Sequence, residues 1–133
     1  QSPIQGCTLN PAFSGVEIDI MESFKPGYVS HAVHWNGCGE DLQSKGKQSF
    51  PLEATPDGFH RFGLRWNKAG YTFFVDGKET WHVDGPVSET EQFILVSTEC
   101  MGYRTEEEKP CTEVQGSAPD EFVVDYVRVF DEI

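Results

Sequence analysis

Positive charge is scarce in this sequence. Ten Lys and Arg stand against 22 Asp and Glu over 133 residues, a formal net charge of −12. A polyanion binder needs clustered cations to neutralise phosphates, so nucleic acid is disfavoured as a partner, and a heavily sulfated glycan with it. Long apolar runs are also lacking. None approaches the ~20 residues that span a bilayer, so no membrane association is expected. Helical periodicity is missing as well, and there is no internal repeat or low-complexity linker. Disorder is excluded by what is present: 38% hydrophobic and 13% aromatic residues are too many for an unfolded chain. The length suits one domain over residues 1–133.

Cysteine is sparse, with Cys7, Cys38, Cys100 and Cys111 and no C-x-x-C pair, which argues against a zinc ribbon or a redox motif. Two disulfides, in any of three pairings, are the expectation, and they imply an extracellular or periplasmic location. Cys100 and Cys111 bracket a polar loop and are the easiest pair to close; free, buried cysteines are the alternative. The sequence begins at Gln1 without a signal peptide, as a mature secreted chain or a piece lacking its upstream part would.

Apolar positions alternate or cluster in short runs separated by Gly, Pro, Asn and Asp, the pattern of an all-β protein. Strands are expected at residues 16–22, 28–36, 46–52, 59–66, 70–76, 79–84, 92–99 and 121–130. In the fourth, His60, Phe62, Leu64 and Trp66 share one face, Arg61 and Arg65 the other. Asp76-Gly77 is the strongest hairpin signal. The last segment is apolar on both faces, as a central strand would be. Antiparallel strands in this number predict a β-sandwich.

Three carboxylates interrupt the first apolar segment, Gly15-Val16-Glu17-Ile18-Asp19-Ile20-Met21-Glu22-Ser23. On a regular strand Glu17 and Asp19 share a face and Glu22 points away. One extra residue, a bulge at Ile20-Met21, restores Glu22 to their face, and bulges serve this purpose beside active sites. Crowding raises at least one carboxyl pKa. A protonated acid next to an ionised one is the pair a retaining glycosidase uses. Four ladder steps of about 3.3 Å separate the Glu Cα atoms by roughly 13 Å, so the side chains must lean together to reach the about 5–5.5 Å that retention requires.

The Glu17-Ile18-Asp19-Ile20-Met21-Glu22 hexapeptide resembles the bulged active-site signature of glycoside hydrolase family 16, the form found in laminarinases and agarases. Gln1-Ser2-Pro3, His31 to Asn36, Phe59 to Trp66, Phe74 to Lys78 and Val124 to Phe130 are similar to the family in the same order. The resemblance implies a concanavalin-like jelly-roll β-sandwich whose concave sheet forms a glycan cleft, of which this chain spans about the second half. A missing N-terminal segment or a second chain would then complete it. By the same resemblance Glu17 is the nucleophile, Glu22 the general acid/base, and Asp19 the group that adjusts the nucleophile's protonation. The reaction would be endo-hydrolysis of a β-glycosidic bond with retention.

Around this trio, His34 and Asn36 are candidate sugar contacts, with His31 and Trp35 on the opposite face. Ser97 and Glu99 resemble cleft-lining residues. Trp66 reads as core, while Trp81 fits edge, core or cleft. Relatives often hold a structural calcium near an aspartate of the closing strand; its partners are missing here, so Asp125 reads as a satisfied buried acid. No cofactor is required, with a structural calcium as an alternative that the sequence does not assign. His31, His34 and Cys38 match no zinc pattern. A non-catalytic glycan-binding module and an inactive fragment are the rival readings, and the intact acid trio favours the enzyme. The signature admits β-1,3-glucans, mixed-linkage glucans and galactans, and the negative charge favours a neutral glucan.

Overall fold

The computed structural model describes residues 10–37, 40–98 and 121–131. Cysteines 7, 38, 100 and 111 and Glu99 lie outside them, as does Gln1-Ser2-Pro3. The chain divides into two units, Gln1–Phe93 and Ile94–Ile133.

The first unit opens with α1 (Pro11–Ser14), a single turn. Four residues carry no periodicity, so no helical pattern in the sequence announces it. Its signals are local: Asn10 caps it, accepting from the Ala12 N–H at 3.1 Å, proline takes the first turn, and Gly15 ends it at φ 85°. Six strands follow: β1 (Glu17–Glu22), β2 (Tyr28–Trp35), β3 (Gln43–Pro51), β4 (Phe62–Asn67), β5 (Gly70–Val75) and β6 (Lys78–Val83). They form two antiparallel sheets, ordered β1-β2-β3 and β4-β5-β6. The expected all-β sandwich, the jelly-roll type in the portion described, is thus present.

The sheets pack face to face. Val16 and Val33 on one side meet Tyr71, Phe73 and Val83 on the other, with Ile18, Trp35, Leu64, Trp81 and Val87 closing around them. On β2 the alternation is regular: Val29, His31 and Val33 are buried while Ser30, Ala32 and His34 are not. The buried Tyr71 hydroxyl accepts the Ser88 N–H at 2.7 Å, tying the segment after β6 to the core.

Turn chemistry fixes the second sheet. Asp76 and Gly77 take φ of 51° and 81° between Val75 and Lys78, which pair, the mirror-image turn that matches strand twist. The Asp76 carboxylate accepts the Arg61 N–H at 2.9 Å and faces His60 Nδ1 at 2.8 Å. These two interactions, the backbone one first, hold its pKa below the usual carboxylate range. β4 begins at Phe62 and not at the expected residue 59, because Phe62 already pairs with Val75, the last residue of β5 before the turn. Gly70 lies against β6, where a Cβ would fall 2.1 Å from the Val83 carbonyl oxygen; only glycine fits there.

Several expectations are corrected. Trp66 shares a face with Leu64 but lies at the strand end, 37% exposed, beyond the core. Trp81 is the one that packs inward. β3 starts at Gln43, three residues early, because an exposed polar edge strand shows no apolar alternation.

In the second unit none of the described residues forms a helix or strand, and all are exposed. The strands expected at 92–99 and 121–130 are therefore not formed over residues 92–98 and 121–130. Asp125 is exposed, not buried. An apolar run shows that a segment can occupy a sheet, but a ladder needs a neighbour's backbone, and the run does not supply one.

Candidate functional site

β1 carries the acids, and its register with β2 shows how. Glu17 lies opposite His34, Ile18 opposite Val33 and Asp19 opposite Ala32, whereas Glu22 lies opposite Ser30. Two residues, Ile20 and Met21, therefore face the single His31. This is the bulge anticipated from the hexapeptide. It places Glu17, Asp19 and Glu22 on the face of His34, Ala32 and Ser30, away from the core.

Across that face the rows differ in height. Beside Asp19 come Ala32 and then Gly46 of β3, a low strip on which a flat ring can lie. Beside Glu17 come His34 and then Ser44. His34 Nε2 is 3.2 Å from Asp19 Oδ2, and its Nδ1 is 2.5 Å from Ser44 Oγ. With the Ser44 hydroxyl donating to Nδ1, Nε2–H donates to the carboxylate, and the imidazole is fixed between two strands. Ser44 was missed because the third strand was expected to start at residue 46; the ladder partner of His34 could have been found only from the correct register.

Electrostatics single out Asp19. Burial first, then the Glu22 and Glu17 carboxylates, push its pKa up to about 6, against the opposing pull of His34. The crowding foreseen for the trio thus falls on its middle member. Glu17 is exposed and Glu22 half-buried, so both outer acids are accessible to a ligand laid over the face. The arrangement supplies two accessible carboxyl groups flanking a third that exchanges its proton near neutrality.

The other expected contacts separate. His34 is in place. Asn36 lies one residue past β2 at φ 68°, where strand alternation no longer sets its direction; its Oδ1 is buried without a hydrogen-bond partner. Ser97 is exposed in an irregular segment of the second unit, so no ladder orients it, contrary to the strand reading. Trp35 packs against the core, as anticipated. Among the described residues no group of three or more His, Cys, Asp or Glu is placed to hold a metal ion.

The profile of a family described as glycosyl hydrolases family 16 matches residues 8–101. Neither the search of curated proteins nor the search of solved structures found a match.

Proposed function

Because the chain belongs to glycosyl hydrolases family 16, whose membership implies a hydrolase of β-linked glycans, we propose that it cleaves a polysaccharide internally and with retention of configuration. The observation that carries this reading is the bulge between Asp19 and Glu22, which sets three acids on one solvent-facing strand surface.

Glu17 is the nucleophile. Its carboxylate attacks the anomeric carbon, forming a glycosyl ester as the bond to the leaving sugar breaks, and Glu22 gives its proton to the departing oxygen. Glu22, now ionised, takes a proton from water, whose oxygen attacks the anomeric carbon and frees Glu17. Asp19, poised near pH 6 and held by His34, takes up or releases a proton beside Glu17 as the charge on the nucleophile changes. His34 is the first sugar contact, with Asn36 as a further one. The low Ala32–Gly46 strip seats the ring. No cofactor takes part.

A neutral β-1,3- or mixed-linkage glucan fits a protein of net charge −12 better than an anionic chain does. Secretion, with the four cysteines in disulfides, accords with such a substrate. Among the described residues β1 is the edge of its sheet, and a strand paired there, from the same polypeptide or a second chain, would extend the cleft.

Reducing-end release from laminarin, lichenan and agarose, by the native protein and Glu17→Gln, tests the reading, with circular dichroism to verify folding. Release from a glucan that is lost in the variant supports it. No release by a folded protein favours a binding module.

A further inference from the structure

His31 takes no part in the chemistry proposed above, yet it is the most deeply buried histidine described, 1% exposed between the sheets. Its ring stacks on Phe73 at 4.9 Å and tilts against Phe50 at 5.3 Å. Two apolar neighbours would be served equally well by phenylalanine, so the ring nitrogens need a separate account. Nδ1 lies 2.7 Å from the backbone carbonyl oxygen of Ile20, inside the bulge. Nε2 lies 2.9 Å from Thr80 Oγ1 on the opposite sheet. Thr80 is itself an extra residue, the irregularity of β6 between Glu79 and Trp81.

Proton positions follow from the partners. A carbonyl only accepts, so Nδ1 carries the hydrogen. Burial, with Lys47 acting in the same direction, keeps the His31 pKa below its ordinary value against the pull of the Ile20 carbonyl. In the neutral ring Nε2 accepts, and the Thr80 hydroxyl donates to it. That hydroxyl also lies 3.1 Å from the Phe73 carbonyl, which it serves only when turned away from the ring. The result is one directed line across the sandwich: Thr80 hydroxyl to Nε2, Nδ1–H to Ile20 carbonyl.

A bulge is where a ladder defines the backbone least, because its extra residue is unpaired. Here the last acid of the trio directly follows that weak point. We propose that His31 is a positioning residue, which grips the bulge through the Ile20 carbonyl, anchors it to the second sheet through Thr80, and so holds the Glu22 carboxyl in place. The proposal rests on the acid/base role of Glu22 given above.

Three substitutions separate its parts. His31→Phe keeps the stacking and removes both hydrogen bonds. His31→Asn places an amide N–H where Nδ1–H was, and His31→Gln places one where Nε2 was. In His31→Phe, kcat/KM on the polysaccharide should fall about 30-fold, a part of the roughly 10²–10⁴-fold that general acid catalysis contributes. On a 2,4-dinitrophenyl glycoside of the same glucan, whose leaving group departs without a proton, it should change less than about threefold. Asn should restore the first value and Gln should not. Amide hydrogen exchange at residues 20–22 should quicken in the Phe protein and return in the Asn protein. Equal losses on both substrates, rescue by Gln alone, or unchanged exchange at the bulge would overturn the proposal. Should the native protein cleave no β-glucan, the hydrolase reading falls. Exchange then decides the grip by itself: an Asn-reversible change confined to residues 20–22 supports it, and none overturns it.

Discussion

Asp19 is the residue at which the crowding of β1 is felt, and the sign of its titration makes that testable. Its pKa rises from the ordinary 3.8 to about 6, chiefly through burial and then through Glu22 and Glu17. A carboxyl with a raised native pKa binds its proton more tightly folded than unfolded. Below pH 3.8 it is protonated in both states and costs nothing; between pH 3.8 and 6 stability falls, by about 3 kcal/mol when complete. Asp19→Asn should therefore stabilise the protein at pH 7 by up to about 3 kcal/mol and leave it nearly unchanged at pH 3.5, as urea titrations at the two values would read. The trio and its common face were legible in the sequence because a six-residue motif contains both the alternation and the extra residue that corrects it. Asn36 was not, because a positive φ breaks the period on which its assignment rested. Nor was the Ser44–His34–Asp19 line, which joins three strands.

At the scale of the element, the bulge is the feature on which the site depends. Removing Met21 alone leaves Glu-Ile-Asp-Ile-Glu, in which simple alternation keeps all three acids on one face. That deletion should fold, at a cost of about 1–2 kcal/mol for local repacking. Removing Ile20 and Met21 together turns Glu22 toward the core, where an unpaired carboxylate should cost about 3 kcal/mol or more. Chemical denaturation followed by tryptophan fluorescence compares the two; similar losses would mean that the register does not govern the face. The hairpin at Asp76-Gly77 was legible for a related reason, since both positive φ angles belong to residues that tolerate them. β3 was legible only in its second half. As an exposed edge strand it carries Lys45 and Lys47 on the core-facing side, opposite Val33 and His31, a device that discourages further pairing and erases the apolar pattern.

At the scale of the whole molecule, the sandwich of the first unit turns on a small shared core. Phe73 is fully buried, stacked on His31 and 4.9 Å from Trp81. Phe73→Ala should cost about 3–5 kcal/mol and loosen the sheet bearing the acids as well as its own, seen as exchange rising in both. The all-β class and the sandwich followed from strand count and turn spacing. The segment 121–130 did not behave as expected because β pairing is decided by distant backbone, which a local apolar run does not reveal. The central claim remains that Glu17 and Glu22 act together on a β-glycan, and the anomer first released is its most direct reading. Proton NMR of the earliest products from a β-glucan should show the β-anomer, mutarotating later to the α form, with no product from Glu17→Gln. An α-anomer released first, or undiminished release by a folded Glu17→Gln protein, would contradict the account.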